Sequence, residues 1–202
     1  PYAVIEGASI VCEEHKDIFF NIYGDTNIVS DLINKFPLLK KRSKIIHTEQ
    51  VIANDDKPSI VLRNSKNSSM WQAIESIKNG NSDAVVSGGN TGALMAISKL
   101  LLKTLPNIDR PAIVALIPNK DGKSVMLDLG ANAECNSSNL FQFAIMGNAF
   151  AKIVLGITRP KIGILNIGSE DLKGNDVVRN ASLMLKENNI DINFYGYVEG
   201  ND

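Results

Sequence analysis

The fold class follows from one stretch, Asp83-Ala84-Val85-Val86-Ser87-Gly88-Gly89-Asn90-Thr91-Gly92-Ala93-Leu94-Met95. Its apolar run at 84–86 is too short for a helix and rich in valine, which predicts a buried strand. A glycine-rich turn follows, and then a helical pattern that continues to Leu102. A strand, a glycine turn and a helix in this order are typical of an α/β domain.

The turn at 88–92 is a candidate site for phosphate or another oxyanion, because a helix that starts there presents free backbone N–H groups. Gly88 and Gly89 allow a ligand to approach the backbone closely, and Asn90 and Thr91 can cap the helix or donate side-chain hydrogen bonds. An ordinary strand-to-helix connection with an Asn or Thr cap explains this stretch equally well.

Two later stretches repeat this pattern. Residues 125–132 (VMLDLGAN) and 162–175 (IGILNIGSEDLKGN) are each an apolar run that ends in a polar turn containing glycine. Because the carboxyl ends of parallel strands share one edge of a sheet, we expect the three turns to line one cleft. Turns that only reversed the chain would not need polar and charged residues on the same edge, here Asp128, Asn132, Glu170 and Lys173.

The rest of the chain alternates between helical and strand patterns, which predicts a single α/β domain over residues 1–202. Pro37 is expected to stop the second helix, and Ser137 or Ser138 to cap the long helix that ends near Gly156. Residues 48–67 read as irregular. We predict helices at 4–14, 27–36, 71–78, 93–102, 140–155 and 176–187, strands at 17–23, 44–47, 161–167 and 192–198, and a hairpin of 112–117 with 124–129.

Residues 63–70 form a second candidate anion site at the start of a helix. Arg63, Ser68 and Ser69 supply a cation and two hydroxyl groups there. A capped helix with solvated charges is the alternative interpretation.

The composition is that of an ordinary soluble protein, with 44% hydrophobic residues, 21% charged residues and a formal net charge of −1. The net charge therefore gives the protein no overall electrostatic attraction to nucleic acid or to an anionic membrane. The cluster Lys40-Lys41-Arg42 with Lys44 is a local basic patch or, more simply, a solvated loop after Pro37.

The cysteines and histidines are not predicted to do chemistry. Cys12 and Cys135 fit no metal spacing, which indicates a reduced, cytoplasmic protein. Cys135 follows one of the motifs, but the sequence shows no base that would activate it. His15 and His47 lie outside the turns and are expected to be structural or exposed.

The longest apolar stretch, residues 140–155, falls short of the roughly 20 residues that a membrane span needs. It also contains Gln142, Asn148 and Lys152. This predicts a helix that is buried in the core and in large part against a second subunit.

The motifs quoted above stand in order with Arg110-Pro111-Ala112 and with residues 196–200 (GYVEG). Together they closely resemble the bacterial acyl-acyl-carrier-protein:phosphate acyltransferase family (PlsX) over essentially all 202 residues. Family members usually have a strand and an Asp-Ala-Met-Gly-Gly-Asp motif before the position of Pro1, and they continue past Asp202. The sequence is therefore expected to be a fragment. Gly88 stands where the family commonly has alanine.

The resemblance implies a three-layer αβα sandwich with a mostly parallel sheet, similar to phosphotransacetylases and to isocitrate and isopropylmalate dehydrogenases. It implies a cytoplasmic homodimer with its active site near the interface and a peripheral contact with the membrane. Phosphate would attack the thioester of acyl-acyl carrier protein to give acyl phosphate for phospholipid synthesis. No metal, no nucleic acid and no cofactor is implied beyond the phosphopantetheine of the carrier protein.

Phosphate is largely dianionic at neutral pH and can attack without a nucleophile from the enzyme. The protein must hold it and stabilise the oxyanion, for which we predict the amides of Asn90 and Asn132. Lys173 is predicted to bind the phosphate, and Asp128 to orient Lys173 or Asn132 or to accept a proton. The phosphate-binding set is predicted to be Gly88, Gly89, Asn90, Thr91, Gly92, Ser169, Arg63, Ser68 and Ser69.

Other functions stay open at this point. One is an NAD-dependent dehydrogenase or a phosphotransacetylase-like enzyme on the related fold. Against the dehydrogenase, the glycine turn is not Gly-x-Gly-x-x-Gly, and no acidic residue closes the expected second strand. The other is a truncated, non-catalytic module that binds the carrier protein.

Overall fold

A computed structural model of the chain describes residues 1–120, 122–168, 174–188 and 190–200. The chain divides into two compact units, residues 1–103 and residues 104–202. The organisation as one domain stays a prediction. The strands of the described residues form three two-stranded sheets, two parallel and one antiparallel. The α/β class with parallel pairing is thereby confirmed.

The first unit places helices around one parallel strand pair. Its strands are in register from Phe20 opposite Ser43 to Gly24 opposite His47. The elements are α1 (Tyr2–Glu14), β1 (Phe20–Gly24), α2 (Thr26–Ile33), α3 (Pro37–Lys41), β2 (Ser43–His47), α4 (Pro58–Asn64), α5 (Ser69–Lys78) and α6 (Thr91–Leu102).

Two apolar clusters hold this unit together. The first joins α1, α2 and α3 around Ile5, Ile33 and Leu39, with β1 packed against it. The second joins α4, α5 and α6 around Val61, Ile74 and Ile97. Complete burial of such aliphatic side chains contributes about 1.5–3 kcal/mol each, so the second cluster holds α6 against α4 and α5.

Two helices correct the expectations from sequence. Pro37 does not simply end a helix, because it is the first residue of α3, where the N–H that proline lacks would have no partner in any case. Helix α4 lies in the stretch expected to be irregular, and it too begins with a proline, Pro58.

The basic cluster is not a solvated loop. Lys40 and Lys41 lie in the last turn of α3, where cations are favoured by the helix dipole. The Nη1 of Arg42 donates to the carbonyl oxygens of Cys12 and His15, at 3.0 and 2.9 Å, and so caps the end of α1.

The strand expected at 84–86 is absent from the described residues. The segment has no ladder partner, and the Val86 side chain is 85% exposed. A short apolar run becomes a strand only where another segment of backbone pairs with it, and no described segment pairs with residues 84–86. The helix after the turn, α6, is confirmed.

The second unit combines a hairpin, a parallel strand pair and two helices. Its elements are β3 (Val114–Asn119), β4 (Gly122–Leu127), α7 (Ser137–Val154), β5 (Lys161–Leu165), α8 (Asp176–Glu187) and β6 (Asn193–Val198). The predicted hairpin of β3 and β4 is confirmed as an antiparallel pair. Helices α7 and α8 pack with β5 and β6 around Ile164, Ala181 and Tyr197.

Helix α7 is capped by Asn136, not by Ser137 or Ser138. Asn136 accepts from the backbone of Asn139 at 2.9 Å, and the Asn139 side chain accepts from the backbone of Asn136, which completes a capping box. The helix buries Phe143 but leaves Ile153 83% exposed at its far end. Its contact with a second subunit stays a prediction. Among the described residues, no helix has the length and apolar character to cross a membrane.

Candidate functional site

The glycine turn of the first unit is organised by Asn90. As the N-cap of α6, Asn90 accepts from the backbone nitrogen of Ala93 through its side-chain oxygen at 2.9 Å. Its side-chain nitrogen lies 3.0 Å from the carbonyl oxygen of Ala53, 3.1 Å from that of Asn54 and 3.0 Å from that of Asp56. Asn90 therefore both starts α6 and ties the turn of residues 53–56 to it.

The turn of residues 53–56 is closed from within by Asp56. Its carboxylate accepts from the backbone nitrogen of Ala53 at 2.8 Å, and its own backbone nitrogen donates to the carbonyl oxygen of Ala53 at 3.2 Å. This turn is a part of the site that the sequence interpretation missed. An Asp three residues after the residue that it bonds is the local signal for such a turn.

The start of α6 presents backbone donors. Among the described residues, the N–H groups of Asn90, Thr91 and Gly92 have no protein acceptor, whereas that of Gly89 donates to the Ser87 hydroxyl at 3.2 Å. Thr91 and Gly92 are exposed. Unpaired N–H groups at a helix N-terminus, with the positive end of the helix dipole behind them, favour an anion.

Two of the three glycines of this turn, Gly89 and Gly92, pack closely against neighbouring helices. A Cβ at Gly89 would lie 3.0 Å from Cε of Met70, and one at Gly92 would lie 3.2 Å from Cγ of Pro58. A Cβ at Gly88 would meet only Cγ2 of Val4, at 3.6 Å. Gly89 and Gly92 thus let the turn sit against α5 and α4.

In the second predicted anion site, residues 63–70, Ser68 caps the start of α5. Ser68 is fully buried, and its hydroxyl donates to the carbonyl oxygen of Ser65 at 2.7 Å while accepting from the backbone of Trp71 at 3.2 Å. The backbone nitrogen of Ser69 donates to the carbonyl oxygen of Gln50 at 3.1 Å. Arg63 is exposed in the last turn of α4. Their binding of phosphate stays a prediction, and for Ser68 it would require exchange of these bonds.

In the second unit, Asp128 and Asn132 form one network. One carboxylate oxygen of Asp128 accepts from the backbone of Ile113 at 2.8 Å and of Ala131 at 3.2 Å. The other accepts from the backbone nitrogen of Asn132 at 2.8 Å and from its side-chain nitrogen at 3.1 Å. That side-chain nitrogen also donates to the carbonyl oxygen of Pro111, at 3.0 Å.

This network limits what each residue can do. Burial alone would raise the pKa of Asp128, but the hydrogen bonds from Ile113, Asn132 and Ala131 outweigh it and lower the pKa. Asp128 is therefore ionised at neutral pH and suited to hold the turn, not to take up a proton. Both hydrogens of the Asn132 amide are engaged, so Asn132 must release one before it can donate to an oxyanion.

Cys135 lies close enough to Asp128 and Arg110 for both charges to affect the pKa of its thiol. Burial and the negative charge of Asp128 raise the pKa of the thiol, and the positive charge of Arg110 opposes them in part. The thiol is therefore a poor nucleophile at neutral pH. The Nη1 of Arg110 donates to the carbonyl oxygen of Glu134 at 3.2 Å, which fixes the approach to α7.

The third glycine turn is described only at its two ends. The side chain of Asn166 donates to the carbonyl oxygen of Gly168 at 3.0 Å, and the Nη1 of Arg179 donates to the carbonyl oxygen of Gly174 at 2.6 Å. Ser169, Glu170 and Lys173 lie outside the described residues. The assignments of Ser169 and Lys173 stay predictions.

The first turn belongs to one compact unit and the other two belong to the second. The expectation that all three line one cleft therefore stays a prediction. A pocket of about 530 Å³ beside α5 is lined by Tyr23, Trp71, Gln72 and Glu75, among others, and by none of the predicted site residues. In the described part of the chain, no group of three or more His, Cys, Asp or Glu residues could hold a metal ion.

Comparison with known proteins connects this geometry to a family. The sequence model of a family described as "Fatty acid synthesis protein" matches residues 1–202. The chain is 47% identical to a phosphate acyltransferase from Paramagnetospirillum magneticum over 202 residues, which are 100% of this chain and 58% of that protein. It is 52% identical to a phosphate acyltransferase from Ehrlichia canis over 203 residues, which cover 98% of this chain and 60% of that protein.

A third phosphate acyltransferase, from Rhodospirillum rubrum, is 48% identical over 100% of this chain and 58% of its own length. The chain thus spans about three fifths of the length of these relatives. A solved phosphotransacetylase from Staphylococcus aureus superposes with a TM-score of 0.56 at 15% identity, covering 96% of this chain and 73% of that one. At this identity the likeness concerns the fold alone, and it confirms the predicted similarity to phosphotransacetylases.

Proposed function

The chain belongs to the fatty acid synthesis protein family, and from this premise we propose that it acts as a phosphate acyltransferase. The single observation that carries the proposal is the identity of 47% to a phosphate acyltransferase over all 202 residues. The proposed substrates are inorganic phosphate and a fatty acyl group held as a thioester on acyl carrier protein. The products are acyl phosphate, which would supply phospholipid synthesis, and the free thiol of the carrier.

In the proposed reaction, an oxygen of phosphate attacks the thioester carbonyl carbon to give a tetrahedral oxyanion. The C–S bond then breaks, the carbonyl re-forms, and the departing thiolate takes a proton from water or a nearby donor. Phosphate is itself the nucleophile, so the protein needs to bind and align it and to stabilise the oxyanion. This chemistry suits a site that offers backbone donors and has no activated thiol.

The start of α6 supports the phosphate-binding role. The N–H groups of the N-cap Asn90 and of Thr91 and Gly92, the first two residues of the 12-residue α6, are unpaired among the described residues. Lys173 is also proposed to bind phosphate, since a charge-assisted hydrogen bond holds an anion more strongly than a neutral one.

The network in the second unit supports a positioning role for Asp128. A carboxylate beside a phosphate dianion would repel it, but Asp128 directs both of its oxygens to donors of its own turn. It fixes the side chain of Asn132, which is proposed to turn toward the oxyanion when substrate binds.

The proposed assembly is a homodimer in the cytoplasm that contacts the inner face of the membrane peripherally. Its proposed partners are acyl carrier protein and phosphate, without nucleic acid. No cofactor of its own is proposed, because the phosphopantetheine arrives on the carrier protein.

The test is a chimera in which this chain replaces the matched region of the Paramagnetospirillum magneticum enzyme. We expect phosphate-dependent release of the carrier thiol from acyl-acyl carrier protein, together with acyl phosphate that hydroxylamine traps as the hydroxamate. The unaltered relative is the positive control, and omission of phosphate is the negative control. A chimera that folds, as judged by circular dichroism, but releases no thiol would contradict the proposal.

The same assay separates the alternatives. A phosphotransacetylase-like enzyme would prefer a short acyl group on coenzyme A to the long-chain carrier thioester. A dehydrogenase would reduce NAD and ignore phosphate. A carrier-binding module would bind the carrier protein, as calorimetry detects, and leave the thioester intact.

A further inference from the structure

We infer that the guanidinium group of Arg110 binds a phosphate group of a substrate. Arg110 belongs to the motif Arg110-Pro111-Ala112, which the proposed reaction leaves without a role. Two sources of the phosphate group have the same chemistry, namely inorganic phosphate and the phosphodiester of the phosphopantetheine on the carrier protein. The inference rests on the proposed function for the identity of these substrates.

The backbone is held on both sides of Arg110. Before it, the backbone nitrogen of Asp109 donates to Oε1 of Gln142, and Nε2 of Gln142 donates to Oδ2 of Asp109, both at 2.8 Å. Gln142 lies in α7 and is only 7% exposed, so this anchor is part of the packed unit. After it, the carbonyl oxygen of Pro111 accepts from the side chain of Asn132 at 3.0 Å. Arg110 therefore starts from a fixed position beside the turn that carries Asn132, which lowers the entropic cost of binding.

The side chain of Arg110 is held at one point. Its Nη1 donates to the carbonyl oxygen of Glu134 at 3.2 Å, and the residue is exposed. Within the part of the chain that the structure describes, Nη1 is the only nitrogen of this guanidinium with a protein acceptor, and no carboxylate lies within ion-pair distance of it. A guanidinium carries five N–H donors, so most of those of Arg110 remain available to a ligand.

The nearby carboxylate does not use the charge of Arg110. Asp128 and Arg110 both influence the thiol of Cys135, so they belong to the same region of the second unit. The oxygens of Asp128, however, accept from the backbone nitrogens of Ile113 and Asn132, both at 2.8 Å. The negative charge is thus engaged by donors of its own hairpin and turn, and the positive charge of Arg110 is left for an anion from outside.

The chemistry of the guanidinium favours phosphate as that anion. Its planar fork donates two parallel hydrogen bonds to two oxygens of a phosphate group, and it is charged at every pH at which the protein is folded. The alternative is a purely structural arginine that ties the segment before α7 to the hairpin through the Glu134 carbonyl. That role needs one donor, which a lysine also supplies, whereas two-point binding of phosphate needs the fork of arginine.

The first test is kinetic and uses the chimeric enzyme that carries this chain. Arg110→Gln removes the charge, and it is expected to raise the half-saturating concentration of one substrate by at least about tenfold. A rise for phosphate identifies inorganic phosphate as the source, and a rise for acyl-acyl carrier protein identifies the phosphopantetheine. Arg110→Lys keeps the charge without the fork and should give a smaller rise. The matched control is Arg159→Gln, at an exposed arginine of the same unit, which should change neither value.

A structural role would give a different result. It would lower the thermal stability and the turnover of Arg110→Gln and leave both half-saturating concentrations unchanged. The substrate source has its own check, because acyl-pantetheine lacks the phosphate group. If Arg110 binds the phosphopantetheine, the wild type and Arg110→Gln should use acyl-pantetheine equally well.

Binding measured without turnover separates this inference from the proposed function. In an NMR titration of the chain itself, inorganic phosphate or free phosphopantetheine should shift the Nε–H signal of Arg110 more than chloride of equal ionic strength does. The signal is assigned by its loss in Arg110→Lys. Such a shift in a chain whose chimera releases no thiol would refute the reaction and keep the inference. A signal that neither ligand shifts more than chloride would overturn the inference, as would an active chimera whose Arg110→Gln variant keeps both half-saturating concentrations.

Discussion

Asp128 accepts two hydrogen bonds from Asn132, one from its backbone nitrogen at 2.8 Å and one from its side-chain nitrogen at 3.1 Å. The two residues are four apart, so the pair closes the turn that follows β4. The same carboxylate also holds the backbone of Ile113, which leads into β3, at 2.8 Å. One ionised side chain therefore joins both strands of the hairpin to the turn that carries Asn132.

We predict that Asp128→Asn destabilises the chain by roughly 2 kcal/mol, because hydrogen bonds to a charged acceptor are worth about 1.5–3 kcal/mol each and this acceptor is partly solvated. An amide keeps one oxygen, so it places an N–H group where the backbone nitrogen of either Ile113 or Asn132 needs an acceptor. Urea unfolding measures the loss. Asp31→Asn on the exposed surface of α2 is the control, with an expected change within about 0.5 kcal/mol. Equal stabilities of the two variants would refute the role of the network.

The stabilisation by Asp128 is expected to depend on pH. Its pKa is lowered in the folded protein, so its contribution is complete above the unfolded pKa of about 3.9 and is lost as the pH falls through the lower, folded value. The difference in unfolding free energy between wild type and Asp128→Asn should be constant near neutrality and shrink below about pH 4. A difference that shrinks already between pH 5 and 7, measured in the same urea series, would contradict the lowered pKa.

We predict that Asn90→Asp is less stable than Asn90→Ser, although both keep an oxygen that can cap α6. The carboxylate of the Asp variant would face the carbonyl oxygens of Ala53 and Asp56, which now accept from the Asn90 amide. Ala53 and Asp56 are exposed, so water can replace the lost bonds, and the repulsion between the carboxylate and these carbonyl oxygens is what makes the Asp variant less stable. Thermal unfolding of the two variants beside the wild type checks this order. If the Asp variant equals the wild type, the amide does not hold the turn of residues 53–56.

Local patterns predicted much of the fold. The sequence places the last helix at 176–187, and α8 spans Asp176–Glu187 because an Asn cap precedes a strongly amphipathic run. The hairpin followed from two largely apolar runs on either side of a glycine turn, which is also a short-range signal. The helices that begin at Pro37 and Pro58 were not predicted, because a proline fits the first turn of a helix as well as the position after its end.

The site was harder to predict because its contacts are long-range. The carbonyl groups that hold the Asn90 amide lie 34 to 37 residues earlier in the chain. The Pro111 carbonyl that engages Asn132 lies 21 residues earlier. The spacing of the motifs identified Asn90 and Asn132 as important, but only the folded chain shows that both amides are already bonded. Their predicted role at the oxyanion therefore depends on a rearrangement that no local pattern encodes.

Gly163→Ala is predicted to destabilise the parallel pair of β5 and β6. A Cβ at Gly163 would lie 2.6 Å from Cγ1 of Val198, which is too close for the stiff valine side chain to yield without cost. Overpacking of this kind costs typically about 1–3 kcal/mol. Gly7→Ala in α1 is the matched control, because no atom lies within 4 Å of its Cβ position. It should stabilise the chain by about 0.5–1 kcal/mol. Urea unfolding that ranks the two variants in the opposite order would contradict both arguments.

Lys173→Met is predicted to impair the use of phosphate without changing thermal stability. In the sequence, Lys173 lies three residues before Asp176, the first residue of α8, and the charged residues just before it, Glu170 and Asp171, are acidic. Methionine keeps most of the side-chain stem and removes the charge. A charge-assisted hydrogen bond to an anion is worth about 1.5–3 kcal/mol, and 1.4 kcal/mol is one decade, so half-saturating phosphate should rise or turnover fall by at least about tenfold.

The alternative is that Lys173 pairs with a neighbouring carboxylate at the surface. An exposed pair of this kind contributes about 0–1 kcal/mol and would leave phosphate kinetics unchanged. Steady-state kinetics of the chimeric enzyme, with phosphate varied at saturating acyl-acyl carrier protein, distinguish the two cases. Lys16→Met at an exposed position of the first unit is the control for a general loss of charge. Normal phosphate dependence in Lys173→Met would assign the residue to the surface pair, because the loss of a residue that binds phosphate must change how the rate depends on phosphate concentration.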